Sequence, residues 1–297
     1  MVAIDIRDDI GTPVVERESG NSMKTISDKS LVLDLDKKPS EGRVPIYMIS
    51  GIGGHVMSSQ LIARGISEKW KAYGLLHPVF TGYEYSTIED NARILSEHLV
   101  QAQSLGPYNL IGYSMGGLIA IEMGRLLSEQ GLDVRVVLLD TKPPQLPPLK
   151  PPIVRLSIYL RWYLKKYGNI LLNRKCPDDG NGANITYDQH KSIPNLPKAF
   201  RKAFQLGREA VDNYVATPCP LPSVLVRSEQ VSWWENLREW TSDYGWASYI
   251  DLKQVIFCPG GHLDLVKADQ YWQSTGAALE EALTLLEGVQ GVGVTGK

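Results

Sequence analysis

Ser114 stands at the centre of Gly112-Tyr113-Ser114-Met115-Gly116, between the apolar runs of 109–113 and 115–131. A Gly-x-Ser-x-Gly turn joining a strand to a helix holds a hydroxyl out of the backbone as a nucleophile. The residues two before and two after the serine come very close to each other and must be small, which Gly112 and Gly116 satisfy. The helix that follows brings unpaired backbone amides and its positive end under the serine, where negative charge would develop. A serine hydroxyl at its free pKa is a weak nucleophile, so it needs a base, and the base needs a group to orient it.

Two histidines follow Ser114 in the chain, His190 and His262. His190 falls in a polar stretch of an inserted block and reads as a solvated loop residue. His262 lies in "FCPGGHLDL", directly after a strand run and a Pro-Gly-Gly loop, and is the candidate base. Two acids compete to orient it. Asp140 ends the strand "VRVVLLD", which follows the serine's own helix, and a proline-rich stop after it pins the carboxylate there. Glu229 follows the strand "PSVLVRS", the commoner position for the acid in folds that run serine, acid, histidine along the chain. Asp140 is favoured and Glu229 stays open. Asp264 reads as a cap for the last helix. The oxyanion donors are expected from two backbone amides: Met115, next to the nucleophile, and Ile52 in the loop "SGIGG". That loop is not a Gly-x-Gly-x-x-Gly phosphate cradle, because His55-Val56 follow and no glycine completes it.

The elements that must carry these residues alternate. Strand runs at 44–50, 72–78, 109–113 and 134–140 are separated by helical spacing at 57–70, 87–105 and 115–131. Thr87 is the expected cap of the second helix, with Asp90 three residues on. Such alternation means an α/β fold, a mostly parallel sheet with helices on both faces. It stops at "KPPQLPPLKPP" (142–152), after which only helical spacing appears until about 216. Residues 142–216 are therefore expected to form an inserted helical lid. Strands resume at 222–228 and 254–258, and a helix over 265–288 closes the fold. Residues 1–42 hold nine Asp/Glu, six Lys/Arg and no aromatic, so they read as a linker or flexible arm, with one short edge strand in "SLVLDLDKK" (30–38). The domain is expected over 43–297.

Composition narrows the function classes. A net charge of −2 over 297 residues gives no whole-chain signal for nucleic acid. Trp233, Trp234, Trp240 and Trp246 lie close together, but no basic run accompanies them, and packing is their default role. Three cysteines without a C-x-x-C pair fit a reducing, cytoplasmic setting and no zinc ribbon. No apolar stretch reaches the ~20 residues of a membrane span, and no metal site is expected.

The stretch "LGPYNLIGYSMGGLIAIEMGRLLSEQGLDVRVVLLDTKPP" (105–144), together with "SDYGWASYI" (242–250) and "PGGH" (259–262), resembles the type I thioesterase domains of non-ribosomal peptide synthetases and polyketide synthases. The likeness covers roughly Val44 to Leu286 and departs at Ser50-Gly51, where many members carry His-Pro or Phe-Pro. It implies an α/β-hydrolase fold with a helical lid after the acid's strand, which supports Asp140 over Glu229. It also implies that Ser114 takes an acyl chain from the phosphopantetheine thioester of an acyl or peptidyl carrier protein, with no cofactor bound to the domain itself. Water or an internal nucleophile then releases the chain. A stand-alone editing (type II) thioesterase, a carboxylesterase and a catalytically silent binding module are the alternative readings. The lid segment 142–202 holds twelve Lys/Arg and three Asp/Glu. Its helix "IVRLSIYLRWYLKKYGNILL" (153–172) sets an apolar stripe (Ile153, Leu156, Leu160, Leu164, Tyr167, Leu171) against Arg155, Arg161, Lys165 and Lys166. Arg161, Lys165 and Lys166 are the candidate contacts for an acidic carrier or substrate, although such charge runs are more often solvated helix faces.

Overall fold

The computed structural model describes residues 30–36, 39–54, 56–171, 197–266 and 271–289. Seven strands form one sheet in the order β1-β3-β2-β4-β5-β6-β7. They are β1 (Val32–Asp34), β2 (Val44–Ile49), β3 (Trp70–Leu75), β4 (Tyr108–Tyr113), β5 (Val134–Leu139), β6 (Pro222–Gln230) and β7 (Asp251–Gly261). Only β1 runs antiparallel to its neighbour. The described α-helices are α1 (Met57–Ala63), α2 (Ile88–Ala102), α3 (Met115–Glu129), α4 (Pro152–Leu171), α5 (Lys198–Asn213) and α6 (Trp272–Glu287).

The central strands β2, β4 and β5 are mostly apolar and buried because both sheet faces are covered there. Along β2, Tyr47 and Ile49 join the core that contains α2 and α3, while Ile46 and Met48 join the core that contains α1 and α6. Leu110 and Ile111 on β4, and Leu138 and Leu139 on β5, divide in the same way. The period-2 alternation of strand side chains thus feeds two separate cores from one set of residues. Every strand next to the serine points its C-terminal end to the same edge of the sheet, and the connecting loops there carry the candidate site.

Most expected elements appear, with informative shifts. Thr87 caps α2 as its composition implies: its hydroxyl accepts the Asp90 amide at 3.0 Å. The helix expected over 57–70 ends at Ala63, because Trp70 instead opens β3, pairs with Val44 and is buried in the α6-side core. The apolar spacing at Trp70 suited either fate, and the sheet claimed it. The last helix begins at Trp272, not at 265, and Asp264 does not cap it. Its carboxylate accepts the Gly261 amide at 2.9 Å and opens a short 3-10 turn, Asp264–Val266. From the acidic arm, Leu31 and Leu35 are buried beside β1, so its end contributes to the core. Residues 1–29 and His190 lie outside the described residues.

The inserted segment between β5 and β6 is helical where it is described, in α4 and α5. Its packing differs from the expected one. Ile153, Leu156, Leu160, Leu164 and Tyr167 are exposed, Ile153 at 73% and Leu164 at 70%. The side chains of Lys166 and Leu171 lie outside the described residues. The less exposed face is that of Arg155, Ile158 and Trp162. Trp162 packs on Trp233 with ring centroids 4.9 Å apart, and Tyr159 meets the same ring edge-on. The inward face of α4 is thus the one that meets the Trp233 indole, and the aliphatic stripe points away from it.

Candidate active site

The serine turn is built from the backbone outward. β4 delivers Ser114 at φ 55°, ψ −121°, and α3 starts at the next residue. A non-glycine residue at positive φ costs roughly 1–3 kcal/mol, held in place by surrounding contacts. Those contacts are visible. The Ser114 amide donates to Leu139 O at 3.0 Å, and the Thr141 hydroxyl donates to Ser114 O at 3.0 Å. A Cβ on Gly112 would lie 2.3 Å from Gly116 O, and one on Gly116 would lie 2.3 Å from Ile49 O. Glycine is thus required at both positions for α3 to start this close to β2 and β4.

Asp140 directly follows β5 and is 1% exposed, again at positive φ (47°). Its amide donates to Val226 O at 2.7 Å, which fixes the strand end. One carboxylate oxygen, Oδ1, accepts the Ser228 amide (3.0 Å), the Ser228 hydroxyl (2.9 Å) and the Tyr244 hydroxyl (3.1 Å). The other, Oδ2, is 2.7 Å from His262 Nδ1. Burial by itself would raise the pKa of this carboxyl. The His262 hydrogen bond and charge, the nearby Lys142 and the Ser228 amide outweigh it and hold Asp140 well below the usual carboxylate range. An ionised Asp140 accepts from Nδ1, so it fixes the imidazole tautomer that leaves Nε2 as a proton acceptor.

His262 is held on a second side. The Tyr113 ring stacks on the imidazole at 4.9 Å, and the Tyr113 hydroxyl donates to His262 O at 3.0 Å. Burial, then the charges of Asp140 and Asp264, push the Tyr113 pKa up, so it stays a neutral phenol. Glu229 is exposed near the end of β6. Its neighbour Ser228 is the residue of that strand end that reaches Asp140.

Ser114, His262, Ile52 and Phe204 line one cavity of about 220 Å³. Met115 opens α3, so its amide belongs to the first helical turn, which has no intrahelical acceptor. Ile52 sits beside it in the loop after β2, where the Gly54 amide closes a tight turn on Gly51 O at 2.8 Å. On α4, Arg161 and Lys165 are exposed.

Sequence reasoning missed Ser228, Tyr113, Thr141 and Tyr244 as supports of the site. Tyr244 and Trp246 stand in "SDYGWASYI", where spacing gives neither of them a supporting role. The Trp246 indole donates to Thr141 O at 2.8 Å, so this segment braces the stretch that follows Asp140. None of the four clustered tryptophans lines the cavity. Among the described residues, no group of His, Cys, Asp or Glu is arranged to hold a metal, and no helix is long and apolar enough to cross a membrane.

Residues 45–148 match the family model of the thioesterase domain. Indigoidine synthase of Dickeya dadantii is 35% identical over 89 residues, which cover 29% of this chain and 6% of that protein. The non-reducing polyketide synthase crz7 of Cladonia metacorallifera is 29% identical over 214 residues, 70% of this chain and 9% of that protein. The chain spans less than a tenth of the length of either curated relative. Among solved structures, the NocB thioesterase domain in covalent complex with a fluorophosphonate nocardicin G analog superposes with a TM-score of 0.58 at 19% identity, over 85% of this chain and 98% of that one. The four-domain non-ribosomal peptide synthetase AB3403 gives a TM-score of 0.60 at 22% identity, over 87% of this chain and 20% of that one. The fold is therefore that of these thioesterase domains, a mostly parallel sheet flanked by helices.

Proposed function

We propose that this chain, whose residues 45–148 carry thioesterase-domain sequence, is a chain-releasing thioesterase with Ser114, His262 and Asp140 as its catalytic residues. One observation supports this above the others. A serine at a positive-φ strand–helix turn shares a cavity with a histidine whose Nδ1 is 2.7 Å from a buried, ionised aspartate.

In this reading His262 Nε2 takes the Ser114 proton as Oγ attacks the thioester carbonyl. The Met115 and Ile52 amides receive the oxyanion. The carbon–sulfur bond breaks, the thiolate of a phosphopantetheine arm leaves with the proton from His262, and the acyl chain stays on Ser114 as an ester. Water or a hydroxyl or amine of the chain itself then attacks that ester with His262 again as base. Asp140 stays ionised throughout and stabilises the imidazolium. Arg161 and Lys165, with Lys166 beside them in sequence, offer positive charge to an acidic carrier protein.

The test offers a carrier-loaded acyl thioester, a soluble thioester and a nitrophenyl ester, and follows covalent mass on the protein. An acyl adduct from the carrier-loaded thioester is expected in the wild type and absent in Ser114→Ala. Asp140→Ala should lower turnover by about 10³–10⁴-fold, and Glu229→Ala by less than twofold. A fully active Ser114→Ala variant would remove the nucleophile. Loss in Glu229→Ala with retention in Asp140→Ala would move the acid. Preference for the nitrophenyl ester over both thioesters would favour a carboxylesterase.

A further inference from the structure

α5 is seated on the oxyanion loop at one residue. Ala203, Gly207 and Ala210 are its buried positions, a small-residue face. At Gly207 the approach is close: an added Cβ would lie 2.8 Å from Ile52 Cγ1, 3.0 Å from Met115 Sδ and 3.3 Å from Ile52 O. One turn earlier on the same helix, Phe204 lines the cavity that contains Ser114 and His262. The lid helix therefore meets the site twice, once through a ring in the cavity and once through bare backbone against the loop.

We infer that Gly207 is a positioning residue: the missing side chain lets α5 hold Ile52 against Met115, so the seating of the lid helix sets the spacing of the two oxyanion amides. This rests on the proposed function. The physical basis is that a methyl 2.8–3.0 Å from packed side chains forces something to shift: the side chains of Ile52 and Met115, α5, or the Ile52 loop, whose carbonyl is also in the path at 3.3 Å. The Met115 amide is fixed by α3 and the elbow, so the Ile52 amide moves alone. Oxyanion stabilisation depends on donors aimed to within tenths of an ångström. A displaced amide acts on the transition state more than on the bound thioester, so kcat falls while KM holds.

The test is a double-mutant cycle of Gly207→Ala and Ile52→Ala in the full chain. Truncating Ile52 keeps its amide and removes the Cγ1 that collides. Turnover of a soluble thioester is read together with the rate at which a fluorophosphonate labels Ser114. Alanine is a better helix former than glycine, so a loss in Gly207→Ala does not come from a weakened α5. Gly207→Ala alone should lower kcat and the labelling rate about tenfold, with KM within about twofold. In the Ile52→Ala background the same substitution should change both by less than about twofold. Should Gly207→Ala alone unfold, recovery of its melting temperature and labelling by Ile52→Ala reads the same contact. An unchanged kcat in Gly207→Ala, equal losses in both backgrounds, or an unfolded variant that Ile52→Ala fails to recover would overturn the inference. The labelling arm needs no thioester. A wild-type chain that labels at Ser114 but turns over no thioester breaks the proposed function and leaves the Gly207 test standing.

Discussion

α3 and α4 are both rich in apolar residues, yet the fold uses them in opposite ways. α3 lies behind the serine, and most of its length is buried, from Met115 to Leu127. It meets the sheet backbone to backbone through glycines. α4 lies in the insert and meets the rest of the described protein through a few aromatic contacts and the short turn Glu235–Leu237. Its leucines stay exposed. Where the backbone itself must be placed, small residues and close approach do the work. Where an element lies at the periphery, a few large rings hold it. The site geometry is therefore anchored in the sheet-side helix, and of the two inserted helices α5 is the one that lines the cavity, through Phe204.

The sharpest way to break this contrast is at the elbow. Gly112→Ala places a Cβ 2.3 Å from Gly116 O, against backbone that has no rotamer to give. Destabilisation of about 3 kcal/mol or more is expected, with loss of Ser114 labelling. Thermal melts and fluorophosphonate labelling check it, and a stable, fully labelled variant would deny the elbow its rigidity.

A matched pair of leucines tests the two helices directly. Leu118 on α3 is 3% exposed, whereas Leu164 on α4 is 70% exposed. Leu118→Ala should cost about 2–5 kcal/mol, and Leu164→Ala about 0.5 kcal/mol or less. Urea unfolding of both variants measures the difference. A large loss in Leu164→Ala would mean that the α4 stripe is packed after all.

The smallest effect sharpens the sheet side alone. His77 sits under the loop after β2, where Gly54 leaves room for its ring, and its Nε2 is 2.5 Å from the Tyr85 hydroxyl. Burial lowers its pKa to about 4 from 6.5. The folded protein thus holds this imidazole neutral while the unfolded chain binds a proton between those values. The contribution of His77 is fully present above pH 6.5 and falls as the pH drops towards 4, by at most roughly 3 kcal/mol. In His77→Gln that part of the acid loss should vanish, as read from urea midpoints across pH 4–7. Parallel profiles for the two proteins would refute it.

The chain itself announced the candidate nucleophile, the candidate base and the strand that carries the favoured acid. Gly112 and Gly116 around a serine leave few alternatives, and the alternation of strands and helices is written in apolar spacing. Trp70 was ambiguous because a large apolar residue at the right spacing suits a helix face and a buried strand equally. The supports of Asp140 were hidden for a different reason. Ser228 and Tyr244 are 88 and 104 residues away from it in the chain, and neither stands in a pattern that spacing can reveal.

Local chemistry is short-range, so the sequence by itself determined the strand-turn-helix at Ser114, the candidate order serine, acid, histidine, and the α/β layering. Tertiary structure decided which of two acids faces the histidine, because strand register and the positive-φ turn at Asp140 aim that carboxylate, while Glu229 is left exposed. It also decided which face of α4 turns inward, since that depends on the shape of the Trp233 surface it meets. And it decided that Gly207 lies against Ile52 and Met115, a contact set by the docking of one helix on a distant loop.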